Sequence, residues 1–360
     1  MKKLLSALVV LGLLPAAHTL AQSKGFALDR FDPAEHGSDW FVGESLDLRG
    51  RPRPALGLVL DYAHKPLVLY DSAGNEAAAL IENQLYGHVG GSVTLWDRVR
   101  LAANLPVAFW QTGRDATFGA STIAPSRSAT IGDLRLGVDV RLAGAYGDPI
   151  TLALGAQLHL PTGSQTAYTG DGAVRLSPRL MIAGDLSAFA YSARVAYVYR
   201  AQDEDLAGVP MGSEMAFAVT AGVRIADKRV LLGPELWGST VVNQSGAAFK
   251  KATTPFELVL GAHYKLPSWN FGLGVGPGLT RGLGAPALRL LASIAWLPAI
   301  EPPPAPPAAV PPPPPADRDH DGVIDASDAC PDTPGAHSDD PSKNGCPPDR
   351  DGDGIPDAED

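Results

Sequence analysis

Two stretches near the C-terminus carry the most specific chemistry in the chain. Asp317-Arg318-Asp319-His320-Asp321-Gly322 and Asp349-Arg350-Asp351-Gly352-Asp353-Gly354 each read DxDxDG, with further carboxylates at Asp325 and Asp328 and at Asp357 and Asp360. Carboxylates at alternate loop positions converge on one ion, and the glycine allows the sharp turn that brings the later acids back. Oxygen-only donor sets of this kind suit Ca²⁺, so these aspartates are candidate Ca²⁺ ligands. An EF-hand opens in the same way but needs flanking helices, which Cys330-Pro331 and Pro347-Pro348 oppose. Cys330 and Cys346 are the only cysteines, and two thiols without suitably spaced histidines do not make a structural zinc site.

A second set of polar side chains is embedded in alternating apolar segments. From Ile131 to Leu142, Leu134, Leu136, Val138, Val140 and Leu142 share one phase, whereas Asp133, Arg135, Asp139 and Arg141 share the other. Extending the phase rule along the chain collects Arg98, Arg100, Arg175, Arg179, Arg194, Arg224 and Arg289 on the polar side, against Asp61, Glu214, Glu235 and Glu257. Such a surface either pairs its charges across a narrow interior or lines an anion-preferring pore. His88, His159 and His263 share that phase on different segments, and there is no GxSxG and no compact Ser, His and acid grouping, so no enzyme is expected. Gly272, Gly274, Gly276 and Gly278 lack nucleotide-loop spacing and leave instead a bare inward face.

Strands must position these residues. A strand turns successive side chains to opposite faces, and apolar-out with charged-in is the pattern of a membrane barrel, closed so that no backbone edge meets hydrocarbon. Alternation over residues 56–62, 85–95, 99–109, 131–142, 150–160, 174–182, 189–199, 215–225, 230–236, 256–266, 269–275 and 288–296 predicts an all-β, antiparallel transmembrane β-barrel of twelve strands. Short joints at 96–97, 144–148, 185–186, 227–228 and 267–268 alternate with longer polar stretches, as periplasmic turns alternate with outer loops. Phe189, Tyr191, Tyr264, Trp269 and Trp296 fall near the short joints and Tyr62, Phe109, Tyr197 and Tyr199 near the long ones, where two interfacial girdles belong.

The remainder divides by composition. Met1-Lys2-Lys3, the apolar run 4–17 and small residues before Gln22 predict a signal peptide over 1–21. Residues 22–52 form a pre-barrel segment that could plug the lumen, pack at the periplasmic mouth or add a strand; the barrel spans 53–298. The proline-rich stretch 299–316 cannot pack a core and reads as an extended spacer. Residues 317–360 hold 14 acidic against three basic residues, a net −11 that leaves about +1 for everything before it, so the acidity belongs to one segment and argues against nucleic acid. In an exported chain the oxidising periplasm favours a Cys330–Cys346 disulfide.

Val323-Ile324 and Ile355-Pro356, followed by DxxD and, at 328–332, by DACPD, resemble thrombospondin type 3 repeats. Signal peptide, barrel, proline-rich linker and calcium repeats in this order resemble the OmpA-family proteins of myxobacteria and related Gram-negative bacteria. That resemblance implies a structural cell-envelope tether: an outer-membrane barrel in contact with lipid, with a calcium-stabilised periplasmic arm and possible small-pore activity. It also implies peptidoglycan binding through a C-terminal domain that no residue here carries. The chain stops at Asp360, about where a second Asp-x-Cys-Pro would begin, as expected of a fragment or truncated gene. The alternative functions are a porin or transporter for small solutes, anionic ones among them, and calcium-dependent adhesion.

Overall fold

The computed structural model describes residues 21–22, 25–70, 76–118, 121–123, 128–201, 209–300 and 313–359. The expected signal peptide, most of the proline-rich spacer and Asp360 lie outside the described residues. The chain divides into two compact units, Met1–Ile300 and Glu301–Asp360.

Twelve long strands build the first unit: β1 (Arg53–Tyr70), β2 (Glu76–Leu95), β3 (Val99–Thr112), β4 (Leu134–Ala143), β5 (Thr151–Leu160), β6 (Arg175–Leu186), β7 (Phe189–Arg200), β8 (Glu214–Ile225), β9 (Val230–Val241), β10 (Phe256–Lys265), β11 (Trp269–Gly276) and β12 (Leu288–Trp296). Each strand pairs antiparallel with the next, and β12 returns to β1 from Leu288↔His64 to Trp296↔Leu56, which closes the barrel. The fold is all-β, and among the described residues no helix is long and apolar enough to cross a membrane. β1 and β2 run well past the alternating segments predicted for them, with register shifts beyond His64. The two-residue turn Trp96-Asp97 has φ of +54° at both positions, the mirror-image turn whose twist suits a tight hairpin.

The phase of the alternation is explicit in β4. Leu136, Val138 and Leu142 are 39%, 40% and 55% exposed, whereas Arg135 and Asp139 are 3% and 0% exposed. Exposed Leu154, Leu180, Val219, Leu260, Leu273 and Leu290 continue the apolar belt around the barrel. A belt of that kind is stable only against hydrocarbon, which gives the barrel an outer-membrane location. Exposed Phe189, Tyr264 and Trp269 mark the short-turn rim and Phe109, Tyr197 and Tyr199 the long-loop rim.

The second unit has little apolar core. Its only buried hydrophobic side chain among the described residues is Val323, and its regular structure is a single 3₁₀ turn at Asp325–Ser327. A disulfide joins Cys330 to Cys346.

Candidate functional site

The lumen is occupied by the protein's own chain. Residues 25–50 are buried or half-buried, and the segment runs through the barrel from the long-loop end to the short-turn end. At the first end Phe26 and Leu28 pack with Leu67, Leu80, Ile81, Tyr168 and Met211, and Leu28 N donates to Tyr168 O at 3.1 Å. At mid-depth Phe31, Phe41 and Val42 meet Val59, Trp237, Val259 and Leu291. Lower down, Leu46 and Leu48 join Ala153, Met181 and Ala183, and finally Gly50 N donates to Asp97 Oδ1 at 2.8 Å in the β2–β3 turn. This plug forms no regular strand, so its backbone donors turn to wall side chains: Phe41 N and Val42 N donate to the two oxygens of Glu235 at 3.1 and 2.9 Å, and Glu44 N to Ser192 Oγ at 3.0 Å.

Ion pairs accompany this packing. Each of its six carboxylates pairs with a wall cation: Asp29 with Arg289, Asp32 with Arg135 and Arg194, Glu35 with Arg135 and Arg179, Asp39 with Arg224 and Lys265, Glu44 with Arg100 and Arg179, and Asp47 with Arg53. Arg100 holds the fully buried Glu44 at 2.6 Å and Asp139 at 2.6 Å. The guanidinium forks of Arg100 and Arg135 each serve two carboxylates and that of Arg179 serves three, a geometry that a point charge such as an ammonium does not offer.

The bare face of β11 receives an aromatic ring. A Cβ on Gly272 or Gly274 would come within 3.0 or 2.8 Å of Phe41, so side chains there would push the ring aside. Between the stretch 29–33 and the wall lies a cavity of about 140 Å³, lined by Phe31, Tyr86 and Trp237 together with Arg135, Arg175, Arg194, Arg200 and Glu214. At its loop side Asp171 accepts from Ala27 N at 2.7 Å. Burial alone pushes the Asp171 carboxyl up, but Arg200 and Arg175 outweigh it and hold it at about 2.

The structure brings most of the expected interior set together. Arg100, Arg135, Asp139, Arg179 and Arg289 surround the plug; Glu257 binds Arg289 at 2.6 Å; and Asp133 holds Arg175 at 3.2 Å and accepts from Gly163 N and Asp171 N. Arg194 faces Asp32 at 3.6 Å, and Arg141 is half-buried near the short turns. Arg98 corrects the expectation: it is exposed in the turn before β3, where the alternation has not yet begun. The interior cations Arg53, Arg200 and Lys265 and the acid Asp171 escaped the phase rule, because they stand at strand ends or in a loop.

In the arm, Asp317, Asp319 and Asp321 bring carboxylate oxygens within 4.8 Å of one another, and Asp349, Asp351 and Asp353 do the same. The two loops match bond for bond. Asp317 and Asp349 accept from Gly322 N and Gly354 N, Asp321 and Asp353 from Val323 N and Ile355 N, and Asp325 and Asp357 from Arg318 N and Arg350 N. Asp328 accepts from Cys330 N at 2.7 Å. Partial desolvation, and then repulsion from Asp321, Asp328 and Asp317, holds the Asp319 carboxyl above its ordinary range.

Among solved structures, an outer-membrane channel from Pseudomonas putida F1 superposes with a TM-score of 0.50 at 14% identity, over 69% of this chain and 96% of that one. The NanC porin superposes at 0.43 with 9% identity, over 67% and 98%, and the P. putida toluene transporter TodX at 0.38 with 10% identity, over 77% and 99%. At such identities the first likeness shows the fold, that of an outer-membrane barrel. No curated protein matches the chain. The expectation of an OmpA-family protein with thrombospondin type 3 repeats is overturned by a family model that matches residues 77–282, the body of the barrel. The resemblance had rested on the order of segments around the barrel, and the barrel itself carries a different family's pattern. By that match over more than half its length, the chain belongs to the family described as "Putative MetA-pathway of phenol degradation".

Proposed function

We propose that the protein is an outer-membrane channel for small anionic solutes, controlled by the plug at residues 25–50. One observation carries this reading: the plug is an acidic strip held by eight wall cations. Wherever the plug withdraws, the exposed wall is left with a basic excess, which lowers the barrier for anions. The cavity of about 140 Å³ is close to the roughly 150 Å³ that accommodates a benzene ring, and the family description names phenol degradation, so benzoate is the first organic anion to test. The tether function expected from the OmpA-family resemblance falls with that resemblance, and adhesion has no residue in its support.

The plug can be locked. A Cβ at Gly43 lies 3.2 Å from Thr220 Cβ, near the separation of about 3.5–4.5 Å found in disulfides, so Gly43→Cys with Thr220→Cys should cross-link plug to wall. In planar bilayers the oxidised double variant is expected to be silent and to regain anion-selective current on reduction, with reductant-treated wild type as control. Cation selectivity, or current indifferent to the lock, refutes the proposal.

A second reading concerns the arm. The matching loops at Asp317, Asp319 and Asp321 and at Asp349, Asp351 and Asp353, with Asp325, Asp328 and Asp357 beside them, support Ca²⁺ binding, in a segment whose clustered charge has no apolar core to oppose it. The end of β12 at the short-turn rim, where periplasmic turns belong, supports a periplasmic location for this segment.

A further inference from the structure

Asp29 of the plug, Asp61 of β1 and His88 of β2 converge inside the barrel, and we infer that they bind a divalent transition-metal ion that joins plug to wall. Their donor atoms lie within 4.8 Å of one another, with His88 Nε2 3.4 Å from Asp29 Oδ2 and 4.0 Å from Asp61 Oδ2. Ligands about 2.0–2.2 Å from a tetrahedral metal stand roughly 3.4 Å apart, so small side-chain rotations suffice. His88 is 3% exposed, and its Nε2, aimed between the two carboxylates, makes no hydrogen bond; Asp61 Oδ1 is likewise buried without a partner. Tyr86 stacks on the imidazole with ring centroids 5.9 Å apart, and Phe31 meets it edge-on at 5.4 Å, so packing fixes the direction of the nitrogen.

Charge points the same way. Asp29, Asp61 and Glu257 surround one guanidinium, Arg289, and each of these four side chains is less than a tenth exposed. Three carboxylates against one cation leave a formal −2 in a buried box, an arrangement that is costly uncompensated and that a divalent cation neutralises. Arg289 takes Asp29 Oδ1 and Asp61 Oδ2, which leaves Asp29 Oδ2 for the metal; Asp61 reaches it either through Oδ2, shared with the guanidinium, or through the unpartnered Oδ1 on rotation of the carboxylate, and Arg289 becomes a second-sphere partner. The cavity beside Asp29 and His88 gives access and supplies water for the remaining coordination position. An imidazole among the donors favours Zn²⁺ or Co²⁺ over Ca²⁺ or Mg²⁺.

The test uses the full chain in detergent, stripped by chelator and returned to saturating Ca²⁺ so that the acidic arm is not a competitor. Calorimetry should find one Zn²⁺ per chain, and Co²⁺ should produce visible absorption that Zn²⁺ bleaches. His88→Gln and Asp61→Asn should each weaken binding by at least about 100-fold, while His320→Gln in the arm leaves it unchanged. Heat-modifiable gel mobility reports whether the variants are folded. X-ray absorption of the Zn²⁺-loaded wild type needs no variant and should show one imidazole among oxygen ligands. Absence of Zn²⁺ binding, binding that survives His88→Gln, or a spectrum without imidazole overturns the site. Conductance is not a readout here, so the site and the channel reading can fail separately.

Discussion

Neutralising Glu44 tests whether charge holds the plug in place. Glu44 is fully buried, accepts from Arg100 at 2.6 Å and faces Arg179 at 3.6 Å. Breaking an isolated buried pair costs about 3–5 kcal/mol, but Arg100 and Arg179 both retain Asp139, and Gln keeps an acceptor for the Glu35 N–H, so Glu44→Gln should cost nearer 2 kcal/mol. Two kcal/mol shifts a docked-to-undocked ratio about 30-fold. Asp32 provides the comparison. Its side chain is 36% exposed and its partner Arg135 keeps Glu35, so Asp32→Asn should cost less than about 1 kcal/mol, at most a five-fold shift. Single-channel open probability at fixed salt reads both variants, with the wild type as reference. Equal effects, or no change with Glu44→Gln, would refute an electrostatically held plug.

Two further outcomes are expected. Leu136→Arg places a charge on the lipid face near mid-strand and should cost about 2–4 kcal/mol in urea titrations of the folded, heat-modifiable form, whereas Arg135→Gln should leave insertion intact and loosen the plug through Asp32 and Glu35; equal loss of insertion would mean the faces are misassigned. For the arm, chelator should open residues 317–359 to protease while the barrel resists. Asp319→Asn and Asp351→Asn should weaken Ca²⁺ binding in calorimetry, and because carboxylates bind the ion only when ionised, that binding should weaken as acid protonates them; protection indifferent to chelator would exclude metal from the loops.

The barrel was legible because the period of two is enforced twice, by lipid outside and by charge inside, so strands such as β4 and β7 declare both faces. The plug was not. Residues 25–50 meet wall on every side, so no apolar face repeats, and the same stretch was compatible with a plug, a mouth contact or another strand. Its signal lay in charge: six acids in the segment answer an excess of inward arginines that no wall acid balances. The arm's loop spacing was plain, yet spacing outside the barrel misled the family assignment, since segment order can be shared by proteins whose barrels differ. The cluster of Asp29, Asp61 and His88 could not be read at all, because only the threading of the plug brings its first member to the other two.

The eight cations that grip the plug stand on eight different strands: β1, β3, β4, β6, β7, β8, β10 and β12. Two of them, Arg53 and Arg289, flank the seam where the last strand zips to the first. A segment gripped from so many strands, both sides of the seam included, ties the staves together from within, and its six carboxylates offset the mutual repulsion of the inward cations. Because the grip is shared among eight staves, the loss of one ion pair leaves the rest of the segment tied to the wall.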